Sequence, residues 1–116
     1  DSISNPNDVD LFKFTVSAGQ KLSFDIDIPG GSALYSYIEI INSAGQYITY
    51  NAAGTAPGET YDPHQSYLEY TFTTGGTYYV AVACSANENF NLLTGGSDHA
   101  GVSGTSGAYS LTIRNL

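Results

Sequence analysis

The run from Asp8 to Ile28, DVDLFKFTVSAGQKLSFDIDI, decides how this chain folds. Phe12, Phe14 and Val16 share one side of its first half, with Lys13 and Thr15 on the other. In the second half Leu22, Phe24, Ile26 and Ile28 alternate with Ser23, Asp25 and Asp27. A period of two sustained over this length marks strands with one face in a core. Ser17-Ala18-Gly19-Gln20 lies between the halves, and Gly19 supplies the backbone freedom of a tight reversal. The expected arrangement is a hairpin closed by Ala18, Gly19 and Gln20. That register sets Val16 against Leu22, Phe14 against Phe24 and Phe12 against Ile26, with Lys13 facing Asp25. A slip of one residue would pair core positions with solvent positions.

The same signals continue outward. Strands are expected over Tyr35–Asn42 and Gln46–Tyr50, around a second Ser-Ala-Gly-Gln at 43–46 read as the same turn used again. Two more are expected over Ser66–Thr73 and Thr77–Ser85. A loop of Thr74, Gly75 and Gly76 would set Phe72 against Tyr78, Tyr70 against Val80 and Leu68 against Val82. A last strand is expected over Ala108–Arg114. Two long loops, Asn51–Gln65 and Asn87–Ser106, carry the Gly, Pro, Asn and Asp punctuation of irregular chain. Helical periodicity is absent. The reading is an all-β domain spanning residues 1–116, an antiparallel sandwich of about seven to eight strands. Its core is expected from Phe12, Phe14, Phe24, Ile26, Leu68, Tyr70, Phe72, Val80, Val82, Leu111 and Ile113.

Composition narrows the function. Three Lys and Arg against eleven Asp and Glu give a net charge of −8. Nucleic-acid binding needs clustered cations to meet phosphates, and anionic lipid needs them too, so neither is expected. No apolar run approaches the roughly 18–20 residues of a membrane span. The opening DSISNPNDVD shows no export signal and reads as the interior of a longer chain. Cys84, the sole cysteine, lies in the apolar run VAVACS and is expected as a small buried hydrophobe.

Several stretches taken in order resemble the bacterial pre-peptidase C-terminal domain: DVDLFKFTVSAGQKLSFDID, IEIINSAGQYI, SYLEYTFTTGGTYYVAVACSANENFN and TSGAYSLTI. The family pattern has an Asp-x-Asp-x-Phe opening, a Gly turn, an Asn-Ser-x-Gly hairpin, a Gly-Thr-Tyr-Tyr-Val strand and a closing Gly-x-Tyr strand. The resemblance implies a jelly-roll-like accessory domain of secreted bacterial proteins, often peptidases. It would be non-catalytic and act outside the cell as part of a larger protein; the chain itself is expected to be a monomer. It also points to the collagen-binding domains of clostridial collagenases, which bind calcium. The alternative reading is therefore a calcium-assisted module for collagen-like protein or polysaccharide.

Asn5, Asn7, Asp8 and Asp10 bring oxygen-bearing side chains together ahead of the first long strand, and calcium takes six to eight oxygens. The resemblance carries ligand roles onto Asn7 and Asp10. The expected metal residues are Asn7, Asp8 and Asp10, with calcium as the cofactor. Under regular alternation Asp10 falls on the Phe12 side of its strand; an irregular start would turn it outward. Tyr67 and Tyr79 come out on an exposed face, where their rigid amphipathic rings suit sugars or extended polypeptide. His64 and His99, in YDPHQ and SDHAG, are expected as solvent-exposed loop residues. No second Cys or paired His completes a zinc set, and no Gly-x-Ser-x-Gly supplies a nucleophile turn. Asp25 and Asp27 imitate a glycosidase carboxylate pair, but an ion pair with Lys13 is the expected fate of Asp25.

Overall fold

The computed structural model describes residues 2–3, 9–30, 32–52, 54–84, 90–91, 96–97 and 107–116. Its strands are β1 (Ser2–Ile3), β2 (Val9–Val16), β3 (Gln20–Asp27), β4 (Ser36–Asn42), β5 (Tyr47–Asn51) and β6 (Ser66–Phe72). They continue with β7 (Gly76–Cys84), β8 (Phe90–Asn91), β9 (Gly96–Ser97), β10 (Gly107–Ala108) and β11 (Ser110–Asn115). Two antiparallel sheets hold the long strands, one in the order β11-β3-β6 and the other β2-β7-β4-β5. Short ribbons β1-β10 and β8-β9 accompany them. The all-β sandwich read from the alternation is the fold. The long loop expected over Asn87–Ser106 falls largely outside the described residues.

The opening hairpin is not formed. β2 pairs with β7, setting Phe12 against Val80, Lys13 against Tyr79 and Phe14 against Tyr78. β3 pairs with β6 and β11 in the opposite sheet. β6 and β7 do not pair with each other either, so the second expected hairpin is also a crossing. Two of the expected apolar pairs still meet, but across the core. The Phe14 and Phe24 rings lie 5.3 Å apart, and Phe72 and Tyr78 lie 4.7 Å apart.

Turn placement explains the difference between the two Ser-Ala-Gly-Gln segments. In the first, Gln20 N–H donates to Ser17 O, so Gly19 (φ 86°) is the third residue of the turn. A positive φ there is the type II pattern, whose twist splays flanking strands instead of pairing them. In the second, Gly45 N–H donates to Asn42 O, so Gly45 (φ 82°) is the fourth residue. Asn42 N–H also donates to Gln46 O, and the Asn42 side chain accepts from the Ala44 and Gln46 amides. That type I turn with a left-handed fourth residue closes the β4–β5 hairpin. The two crossings pack together: Gly19 N–H donates to Phe72 O, and a Cβ on Gly75 would approach Val16 O at 3.2 Å.

Phe24, Ile26, Phe72, Val80 and Val82 are fully buried, while Phe12, Phe14, Leu68, Tyr70 and Leu111 pack half-buried against them. Ile113 departs from the expected core, at 39% exposure. It faces inward opposite Phe24, but on edge strand β11, where Phe12, Tyr109, Ser110, Leu111 and Ile113 line an open groove of about 400 Å³. Cys84 is buried, as expected.

Candidate metal centre

On β3 the alternation that buries Leu22, Phe24 and Ile26 sends Ser23, Asp25 and Asp27 to the outward face. That face is not open. Ser23 is 3% exposed and Asp25 8%, because β3 is the central strand, flanked by β6 and β11. The β5–β6 connection brings a third acid to the same place. Residues 56–59, Ala-Pro-Gly-Glu, form a turn in which Glu59 N–H donates to Ala56 O and Gly58 takes φ 89°. Pro at the second and Gly at the third position is the type II preference, which fixes the backbone at Glu59. Ala56 N–H then donates to Glu59 Oε1 at 2.9 Å and orients the side chain. One carboxylate oxygen from each of Asp25, Asp27 and Glu59 lies within 4.8 Å of the others.

The electrostatics follow from crowding. Burial raises the Asp25 carboxyl, Glu59's charge adds to it, and Arg114 opposes both. Asp27 is pushed up to about 6 by burial, by a carboxyl hydrogen bond with Glu59 and by the charges of Asp25 and Glu59, again against Arg114. Among the described residues, Asp25 Oδ1 is buried without a hydrogen-bond partner. Oxygen donors of this kind suit a hard cation, whereas zinc normally draws on imidazole or thiolate.

This trio is not the site expected from the sequence. The Lys13–Asp25 pair is absent because the two residues belong to different sheets; Lys21 instead bridges Glu69 at 3.2 Å. Asn5, Asn7 and Asp8 lie outside the described residues. Asp10 keeps regular alternation on the Phe12 side of β2, half-buried, and accepts a 2.7 Å hydrogen bond from the Tyr109 hydroxyl. Tyr67 and Tyr79 are half-buried and sit on different sheets, Tyr67 donating to Glu69 Oε2 at 2.6 Å. Tyr47 (57%) and Tyr50 (51%), on edge strand β5, are more exposed, with rings 6.2 Å apart. His99 lies outside the described residues. His64 is half-buried rather than solvent-exposed, stacked on Tyr35 at 3.9 Å, with Nδ1 2.9 Å from Asp62 Oδ1. The backbone contacts of Asp62 and His64 show the pair anchoring a loop: Asp62 Oδ1 accepts from His64 N–H, and Ser36 donates to His64 O.

Residues 8–83, from before β2 to near the end of β7, match the bacterial pre-peptidase C-terminal domain. The chain belongs to that family. Pre-peptidase C-terminal domains are accessory, non-catalytic parts of bacterial peptidases and occur in secreted proteins. The match spans Asp10, Asp25, Asp27 and Glu59. No curated protein matches the chain, and no helix among the described residues is long and apolar enough to cross a membrane.

Proposed function

We propose that this domain is a non-catalytic accessory module of a larger secreted bacterial protein, assisting its export, stability or attachment outside the cell. Family membership over residues 8–83 carries the reading. The local chemistry is in keeping with it, since the His64 ring is engaged by Tyr35 and Asp62 in holding a loop. The test has two arms. The isolated chain is assayed on peptide, ester and glycoside substrates, where no turnover is expected. The full-length parent is then compared with a form lacking this segment for secreted yield and thermal inactivation. Hydrolysis that vanishes in His64→Ala would overturn the non-catalytic reading. Unchanged export, stability and attachment on deletion would overturn the accessory one.

A second reading, a calcium-assisted module for collagen-like protein or polysaccharide, is favoured by the exposed Tyr47–Tyr50 pair on β5. In it, calcium held by Asn7, Asp8 and Asp10 would stiffen the entry to β2, and Tyr67 or Tyr79 would extend the contact surface. Co-sedimentation with insoluble collagen, cellulose and chitin tests it. Retention lost in Tyr47→Ala and Tyr50→Ala supports the module, and no retention on any of the three rejects it.

A further inference from the structure

We propose that Asp25, Asp27 and Glu59 form a binding site for a calcium-type divalent cation on the outward face of the β11-β3-β6 sheet, separate from the Asp10 region. Three observations carry this, and none depends on the accessory-domain reading. The first is size. Calcium–oxygen bonds of about 2.3–2.6 Å place opposite ligands about 4.6–5.2 Å apart. The three carboxylate oxygens, all within 4.8 Å of one another, therefore fit around one such ion. Magnesium demands a near-ideal octahedron and gives up its water reluctantly, so it is less suited to a set supplied by three carboxylates.

The second observation is the orphaned acceptor. Asp25 is more than nine-tenths buried, yet its Oδ1 has no hydrogen-bond partner among the described residues. A buried polar atom left unpaired is costly and rare in native structures. The cation acting on this group, Arg114, is exposed on edge strand β11, and no ion pair joins it to the three acids among the described residues. A cation held by the three carboxylates would neutralise their mutual repulsion and give the Asp25 carboxylate the partner that Oδ1 lacks. The third is support. Asp25 and Asp27 project from a central strand, and Glu59 is fixed by a Pro-Gly turn and the Ala56 amide, so the ligands are held before any ion arrives. Asp10 lies on β2 in the other sheet, so the two regions are separable by mutation.

The experiment is calorimetric titration of the EDTA-stripped chain with calcium chloride and with magnesium chloride at pH 7.5, paired with thermal melts. Wild type should bind calcium more tightly than magnesium and melt at higher temperature in calcium, as expected for a ligand of the folded state. Glu59→Gln, at an exposed position, and Asp27→Asn should each weaken calcium binding by about tenfold or more. Asp10→Asn should leave unchanged the binding event that Glu59→Gln weakens. Without metal, Glu59→Gln should melt above wild type because one repelling charge is gone. Circular dichroism confirms that each variant is folded. Absence of calcium binding at millimolar concentration would overturn the proposal. So would binding unchanged in both Asp27→Asn and Glu59→Gln, or magnesium binding as tight as calcium.

Discussion

Phe24→Ala, measured beside Ile113→Ala, tests the packing of the sandwich. The two residues are register partners on adjacent strands and face the same core, but Phe24 lies on the central strand and Ile113 on the edge. Phe24 is fully buried, with its ring 5.3 Å from Phe14 and 6.4 Å from Phe72, which come from strands of both sheets. Truncation removes the aromatic transfer energy and leaves a cavity that neighbours on two sheets cannot readily close, at a cost of about 3–5 kcal/mol. Ile113 already keeps 39% of its surface in water and lines an open groove, so its truncation leaves no sealed void. Its expected cost is roughly 1 kcal/mol, the lost burial of a partly exposed side chain. For a chain of this length, about 1 kcal/mol moves the melting temperature by roughly 4 °C. Phe24→Ala should therefore melt about 12–20 °C below wild type and Ile113→Ala within about 5 °C of it. Urea unfolding supplies the free energies and thermal melts the temperatures. Equal losses for the two variants, or a Phe24→Ala loss below about 1 kcal/mol, would refute the placement of the core.

Two further outcomes are expected. Oxidising Lys13→Cys/Tyr79→Cys should give an intramolecular disulfide identifiable by peptide mass, whereas Lys13→Cys/Asp25→Cys should not, because β2 pairs with β7 and not with β3. The reverse result would restore the hairpin. Burial raises the Glu39 carboxyl above its ordinary value, with the Tyr37 hydroxyl bond opposing it. The folded state thus holds this proton more tightly than the unfolded chain. Its contribution is fully present below the ordinary carboxyl value and is lost as pH rises through the raised one. In EDTA, Glu39→Gln, which can still accept from Tyr37, should gain stability over wild type at pH 7 and lose that advantage near pH 4. A difference independent of pH would show that Glu39 titrates as it does unfolded.

Alternation was enough to identify the long strands but not their partners. Phe12, Phe14 and Val16 need apolar neighbours. The inward residues of β3 and of β7 both supply them, so a perfect apolar register between β2 and β3 carried no information about pairing. The discriminating detail lay in the turns. Asn42 precedes the second Ser-Ala-Gly-Gln and supplies both backbone bonds and a side-chain acceptor that hold a hairpin; Val16 in the matching place offers no such side chain. One polar residue ahead of an identical tetrapeptide separates a hairpin from a crossing. The position of Ile113 was hidden for a related reason: its period is that of a core residue, but exposure at an edge depends on which strand covers it.

The candidate metal centre was half visible. Asp25 and Asp27 stand two apart on a strand, a spacing that puts both carboxylates on one face, and solvent was the natural assumption for that face. What sequence spacing could not supply was the return of the β5–β6 connection onto β3. The signal was present in Ala56-Pro57-Gly58-Glu59, where a Pro-Gly type II turn places an acid at a fixed point. Turn chemistry gives a local shape, however, and the address of that shape depends on sheet order. Once β6 pairs with β3 rather than β7, the loop entering β6 is carried to the β3 side of the sandwich, and Glu59 comes with it. The same non-local pairing that broke the expected hairpin therefore separates Asp25 from Lys13 and gathers the three acids.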